Sequence, residues 1–224
     1  MTVITISREF GSDGDVIAGK VAQALNYHLV GKELIGALLS QYGLVEFDKE
    51  YERLPSFWER FNAQREQRRE QIVLMLNQIV PALAQHGNVV IVGRSGFAIL
   101  RGYADVLNVR VQAPLAARVS RVAMQQDLAA GQAEANILEA DKGRAAFIES
   151  FYKVRWNDAT AFDLVINTGK VSAESAVPWI VQATQALHSP SSDAGPTCAS
   201  IAVDPILAKT VADTLSCAIS HRPE

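Results

Sequence analysis

The chain opens on a short run, Thr2 to Ile6, rich in β-branched side chains, and passes through a polar turn at Gly11-Ser12-Asp13-Gly14. Beyond the turn Val16, Ile17, Lys20, Val21, Ala24 and Leu25 recur at helical spacing. β-Branched runs favour strands and a 3.6-residue period marks a helix, so this unit reads strand, glycine loop, helix. A second helix is predicted from about Lys32 to Tyr42 and a long third from about Ser56 to Gln85, charged over Glu59 to Gln71 and apolar over Ile72 to Leu83, with Pro81 expected to kink its last turn. Two more β-branched runs, Val89 to Val92 and Val106 to Val111, are separated by Gly93-Arg94-Ser95-Gly96 and a short helical stretch. Both look like buried parallel strands, which read as largely apolar runs because helices cover both faces. Residues 115 to 129 carry Leu115, Arg118, Val119, Val122 and Leu128 at helical spacing, and a further helix is predicted from about Ala133 to Trp156. Phe162 to Asn167 gives the last strand, after which Ser172 is placed to N-cap a helix to about Leu187. Strands alternating with helices predict an α/β fold of three layers, a parallel sheet flanked by helices, with ligands at the carboxyl ends of the strands. Residues 1–187 read as one domain, 188–203 as a linker that begins Ser/Pro-rich, and 204–224 as a short tail whose amphipathic stretch Asp204 to Ile219 is predicted as one helix beyond the domain.

Length fits that count: 224 residues, 49% hydrophobic and 20% charged, supply one complete core. The net charge of −3 lacks the basic excess by which proteins hold nucleic acid polymers or anionic membranes, so neither is an expected partner. Cys198 and Cys217, the two cysteines, lie near the end of the chain and cannot staple the main body, which suits a reducing compartment. The N-terminus reaches charge too early for a signal peptide, and no apolar run approaches the roughly 20 residues that span a bilayer. The expectation is a cytoplasmic protein. His28, His86, His188 and His221 are scattered without ligand spacing, so no metal site built from them is expected.

The candidate chemistry follows the predicted strands. Gly11 to Gly14 joins the first strand to the first helix, where backbone N–H groups and the helix dipole favour an anion; the competing reading is a tight turn that needs positive φ. The full Walker pattern is absent, because Asp15 and Val16 follow Gly14 where a lysine and a hydroxyl would stand. Asp13 and Asp15 would repel phosphate unless a cation offsets them, Arg8 could supply that charge, and Lys20 is too far into the helix to do so. Arg94 follows the Val89–Val92 strand and is either a bidentate phosphate clamp or a surface arginine beside a turn. Arg118 with Arg121, and Asp141 with Arg144, are spaced by three and so share a helix face; each pair is either part of a site or a solvated charged face. Arg65, Arg68 and Arg69 stand among glutamates and read as a solvated face that could line a homodimer. Trp58, Trp156 and Trp179 fall on predicted helices and read as core or interface anchors.

The order of these pieces resembles the cytidylate kinase-like family: Ile4-Thr5-Ile6-Ser7-Arg8-Glu9-Phe10-Gly11-Ser12, then Val90-Ile91-Val92-Gly93-Arg94, then Arg110-Val111 with Ala113-Pro114, Arg118 and Arg121, then Asp163-Leu164-Val165-Ile166-Asn167-Thr168-Gly169. The likeness covers roughly residues 1–187. It implies a P-loop NTPase-like fold with a helical lid, ATP and Mg2+ as cofactors, and a nucleoside monophosphate, CMP by the family's name, as acceptor. By the same resemblance Gly11, Ser12, Asp13 and Gly14, with Arg8, would hold the donor phosphates, and Arg94, Asp141 and Arg144 the acceptor. Arg118, Arg121 and Arg144 would neutralise the transferring group, the first two at the start of the lid. The family's loop usually runs Gly-Ser-Gly-Gly followed by a basic residue; Asp13 and Asp15 replace a neutral and a basic position here. Two functions from different classes therefore stand open, a kinase of nucleoside monophosphates and a catalytically impaired nucleotide-binding sensor on the same fold. A third, a small-molecule kinase with another acceptor, shares the scaffold, because fold does not fix substrate.

Overall fold

In the computed structural model, which describes residues 2–44, 63–187 and 195–219, the five strands form one fully parallel sheet in the order β2-β3-β1-β4-β5. The strands are β1 (Val3–Arg8), β2 (His28–Val30), β3 (Val89–Val92), β4 (Val106–Gln112) and β5 (Leu164–Asn167). The helices are α1 (Gly14–Leu25), α2 (Lys32–Gln41), α3 (Ala63–His86), α4 (Gly96–Ile99), α5 (Leu115–Gln126), α6 (Ala130–Tyr152), α7 (Ala173–Ala186) and α8 (Pro205–Ile219). Side-chain alternation along the strands explains the layers. Ile4, Ile6, Val90, Val92, Leu107 and Val109 turn to one face with Ile17 and Val21 of α1 and Ala176 and Ile180 of α7. Val3, Val89, Ile91 and Val106 turn to the other with Leu38 of α2 and Leu76, Ile79 and Leu83 of α3. On that second face the buried Thr5 is satisfied within the sheet, its Oγ1 donating to Asn108 Oδ1 at 2.8 Å.

Several boundaries differ from those expected. Strand β2 has only three residues and carries no readable alternation. The long third helix is described from Ala63 onward and runs through Pro81 to His86; its expected start and Trp58 lie outside the described residues. Helix α6 stops at Tyr152, where Lys153 takes a left-handed conformation (φ 57°). Trp156 consequently falls in the turn after the helix rather than on it, although it is buried. Trp179 lies on α7 but is 49% exposed, so it does not anchor the core. Ser172 caps α7 as expected, its hydroxyl accepting from Ser175 N.

The stretch expected as a helix beyond the domain is helical over Pro205–Ile219, and it buries Leu207, Val211 and Leu215 in the same core as α2 and α3. The approach to it is tied to the sheet: Cys198 N donates to both Asp105 carboxylate oxygens (2.8 and 3.0 Å), and Ala104 N donates to Pro196 O at 2.9 Å. Cys198 is a buried free thiol whose pKa is pushed up, first by burial and then by Asp105. Among the described residues no helix is long and apolar enough to cross a membrane.

Candidate active site

The connections leaving the adjacent strands β1 and β3 run in opposite directions, toward β2 and β4 respectively, which makes their carboxyl ends the crevice of the sheet. From β1 the chain makes a tight loop with Gly11 at φ 77° and Asp13 at φ 62°. Gly11 is required twice over: its φ is left-handed, and a Cβ there would stand 2.7 Å from Val122 Cγ2 and 3.2 Å from Arg118 O on α5. Ser12 is fully buried, its hydroxyl donating to Glu9 O (2.8 Å) and Val111 O (3.2 Å), so it braces the loop from inside and its side chain does not face a ligand. Helix α1 begins at Gly14, and its N-cap, Asp13, makes no side-chain cap. The amides of its first turn have no acceptor within the helix and form the positive end of its dipole.

Two arginines offset the two acidic residues of this loop. Arg121 Nε lies 3.2 Å from Asp13 Oδ2, while its other nitrogens reach Thr168 Oγ1 (3.0 Å) and Thr168 O (2.6 Å). Thr168 Oγ1 in turn donates to Ser12 O at 2.9 Å, which closes a circuit between the loop and the end of β5. Arg8 Nη2 lies 3.2 Å from Asp15 Oδ1, and the Arg8 side chain is wedged so closely between Gly14 and Gly93 that a Cβ on either glycine would overlap it. Asp15 remains 71% exposed at the mouth of the site. Lys20 pairs with Glu174 on the exposed surface, away from the loop.

Helices α5 and α6 form a hairpin whose charged residues converge on the same loop. Asp141 Oδ1 accepts from Phe10 N (2.9 Å), and Asp141 Oδ2 accepts from Arg118 Nη1 (2.5 Å). Arg118 also donates to Ala113 O (3.0 Å) and Phe10 O (3.2 Å) and is buried. Arg144 lies 3.6 Å from Asp141 Oδ1, with its guanidinium 5.7 Å from the Phe10 ring centroid. Glu9 accepts from Arg110 Nη2 (3.4 Å) and Ala113 N (3.1 Å). Arg110 is only 2% exposed; it stacks 4.4 Å from the Trp156 ring and donates to Trp156 O at 2.8 Å. Burial draws the Arg110 pKa below its usual value, and the neighbouring Glu9 opposes that shift.

A cavity of about 370 Å³ opens at this end of the sheet, lined by Arg8, Phe10, Asp15, Leu29, Gly31, Lys32, Glu33, Val92 and Arg144. Helix α2 enters it with Gly31 at the N-cap, again without a side-chain cap. Of the residues singled out in the sequence, Arg8 and Arg144 line the cavity; Gly11 to Gly14 are not in its lining, although Phe10 and Asp15 on either side of them are, and Asp141, Arg118 and Arg121 belong to the ion-pair network outside it. Arg94 does not join them: with φ 51° in a turn where Gly93 and Ser95 are also left-handed, it is 1% exposed and is not among the described lining residues. Lys32, Glu33, Gly31 and Leu29 belong to the lining but were not singled out, because they depend on β2, too short to show a period. The N-terminal start of α2 at Lys32 was the one available signal.

A parallel sheet in this order, with a glycine loop leading from its central strand into a helix, is the three-layer fold of P-loop kinases. The model of the cytidylate kinase-like family matches residues 3–170, and the chain belongs to that family. It is 28% identical over 180 residues to a cytidylate kinase of Pyrobaculum islandicum, covering 79% of this chain and 89% of the relative. It is 30% identical over 196 residues to one of Pyrococcus horikoshii, covering 86% and 93%. A solved structure from Eubacterium ventriosum superposes with a TM-score of 0.64 at 23% identity, over 83% of this chain and 99% of that one, which speaks for the fold alone.

Proposed function

We propose that the protein is an ATP-dependent nucleoside monophosphate kinase, transferring the γ-phosphoryl group of ATP to CMP or a related nucleoside monophosphate. One observation carries the reading: one cavity is lined by Asp15 in the first turn of α1 and by Gly31 and Lys32 at the start of α2, two helices without a side-chain N-cap, together with Arg8 and Arg144. Two phosphorylated ligands brought together need two anion-binding ends facing one space. The cytidylate kinases among its relatives support the acceptor class. Cys198 and Cys217, neither in a disulfide, suit a cytoplasmic, reducing site of action.

The donor set fits polyphosphate without the Walker lysine. The first-turn amides of α1 and the Arg8 guanidinium hold the donor phosphates, and Arg144 with Lys32 holds the acceptor's phosphate. Asp13 or Asp15 is the carboxylate at hand that would hold the magnesium bound with ATP, which would supply charge neutralisation to the phosphates. The protein's part is positioning and charge neutralisation: Arg121 fixes the loop against β5, and the α5–α6 hairpin shields the transferring group from water. The loop itself is electrically balanced, Arg8 and Arg121 against Asp13 and Asp15.

That balance yields a prediction. Arg8→Ala removes a donor contact and leaves Asp15 unopposed, so calorimetric titration with magnesium and a non-hydrolysable ATP analogue will show affinity lowered at least tenfold, about 1.4 kcal/mol. In a titration without magnesium, Asp15→Asn, which frees Arg8, will bind the analogue at least as well as the parent protein. Unchanged affinity in Arg8→Ala would take Arg8 out of the donor site. The second reading, a catalytically impaired nucleotide sensor, is favoured by the engagement of Arg8 and Arg121 by the loop's own carboxylates. It predicts nucleotide binding without turnover.

A further inference from the structure

Phe10 is held at three points by the α5–α6 hairpin. Its N–H donates to Asp141, its carbonyl accepts from Arg118, and its ring lies against Arg144. All three partners meet at one carboxylate, because Asp141 also binds Arg118 Nη1 and lies beside Arg144 Nη1. Its neighbour Glu9 extends the hold to Arg118, at 3.5 Å, and to the buried Arg110. Asp141 is therefore taken up by protein donors, and it is absent from the cavity lining although Arg144, one helical turn on, is present.

We infer that Asp141 is a positioning residue that clamps the phosphate loop to the hairpin through Phe10 and thereby sets where Arg144 stands in the cavity; it does not bind the acceptor itself. The consequence is mechanical coupling. Phe10 leads directly into Gly11, whose missing Cβ lets α5 approach, so the loop that holds the donor and the arginine that reaches the acceptor move as one unit. The kinetic part of this inference rests on the phosphoryl-transfer reading; the clamp itself does not.

The test has one arm for each. In the ligand-free parent protein, hydrogen exchange read by NMR will show the Phe10 amide protected, and in Asp141→Asn, which keeps the shape but loses the charge, that amide will exchange about tenfold faster or more. A Phe10 amide that exchanges in the parent at the rate of an open loop would overturn the clamp, whatever becomes of the variant. In turnover assays Asp141→Asn will lower kcat by about tenfold or more while the acceptor KM stays within about threefold. An acceptor KM raised tenfold with kcat unchanged would instead make Asp141 an acceptor contact and overturn the positioning role. Arg118→Lys, which keeps the charge but loses the fork, is expected to reproduce both effects and serves if Asp141→Asn does not fold. Should the parent protein turn over no acceptor, the phosphoryl-transfer reading fails, and the exchange comparison still judges the clamp.

Discussion

A Gly11→Ala protein will lose about 2–5 kcal/mol of stability and at least about a hundredfold in turnover. The stability figure combines the left-handed backbone, about 1–2 kcal/mol for a residue with a Cβ, and overpacking, about 1–3 kcal/mol. The overpacking is unavoidable, because the added methyl meets both Val122 Cγ2 and the Arg118 backbone, one turn apart on α5. Relief requires α5 to back away from the loop, taking with it the contacts of Arg118 and Arg121 to Phe10, Gly11 and Asp13. A displacement of the order of 1 Å between groups that must be aligned costs about a hundredfold in rate. Urea unfolding and steady-state kinetics measure the two parts. A loss below about 1 kcal/mol with full turnover would mean that the loop and hairpin can separate without consequence, contrary to the packing described.

Ending the chain at Leu187 will remove the cooperative fold. Leu207, Val211 and Leu215 are buried against α2 and α3, and burial of large aliphatic side chains contributes about 1.5–3 kcal/mol each. Three such losses amount to about 5–9 kcal/mol, as large as the whole stability of a domain in the lower half of the usual range of about 5–15 kcal/mol. The apolar surface left on α2 and α3 would add aggregation to the loss. Thermal unfolding followed by near-ultraviolet circular dichroism is expected to show no sharp transition in the truncated protein. A cooperative melt close to that of the full chain would show that α8 only rests on the core.

The sequence made the central strands legible because β1, β3 and β4 are rich in β-branched side chains and β1 and β3 lead into glycine turns, a signal that survives without any tertiary information. It did not reveal β2, whose three residues are too few for a period, and with β2 went the rim of the cavity: Leu29, Gly31, Lys32 and Glu33. The acidity of Asp13 and Asp15 was plain, but its remedy was only half visible. Arg8 lies a few residues away along the chain and is visible as a counter-charge; Arg121 reaches Asp13 only because α5 folds back across the loop, a contact between residues more than a hundred positions apart. The setting of Arg94 was not legible either. A turn at the carboxyl end of a strand suggested a side chain facing ligand, whereas the left-handed backbone from Gly93 to Ser95 accompanies a buried guanidinium. Likewise the tail's amphipathic pattern revealed a helix but not the partner for its apolar side, since burial against α2 and α3 depends on the folded sheet.

Phosphoryl transfer is the central claim, and release of ADP from ATP and magnesium in the presence of a panel of nucleoside monophosphates tests it most directly. Turnover with CMP or a closely related acceptor, lost in Arg144→Ala, is the result expected. ATP binding with no ADP released for any acceptor would contradict the kinase and leave a nucleotide-binding protein on a kinase fold.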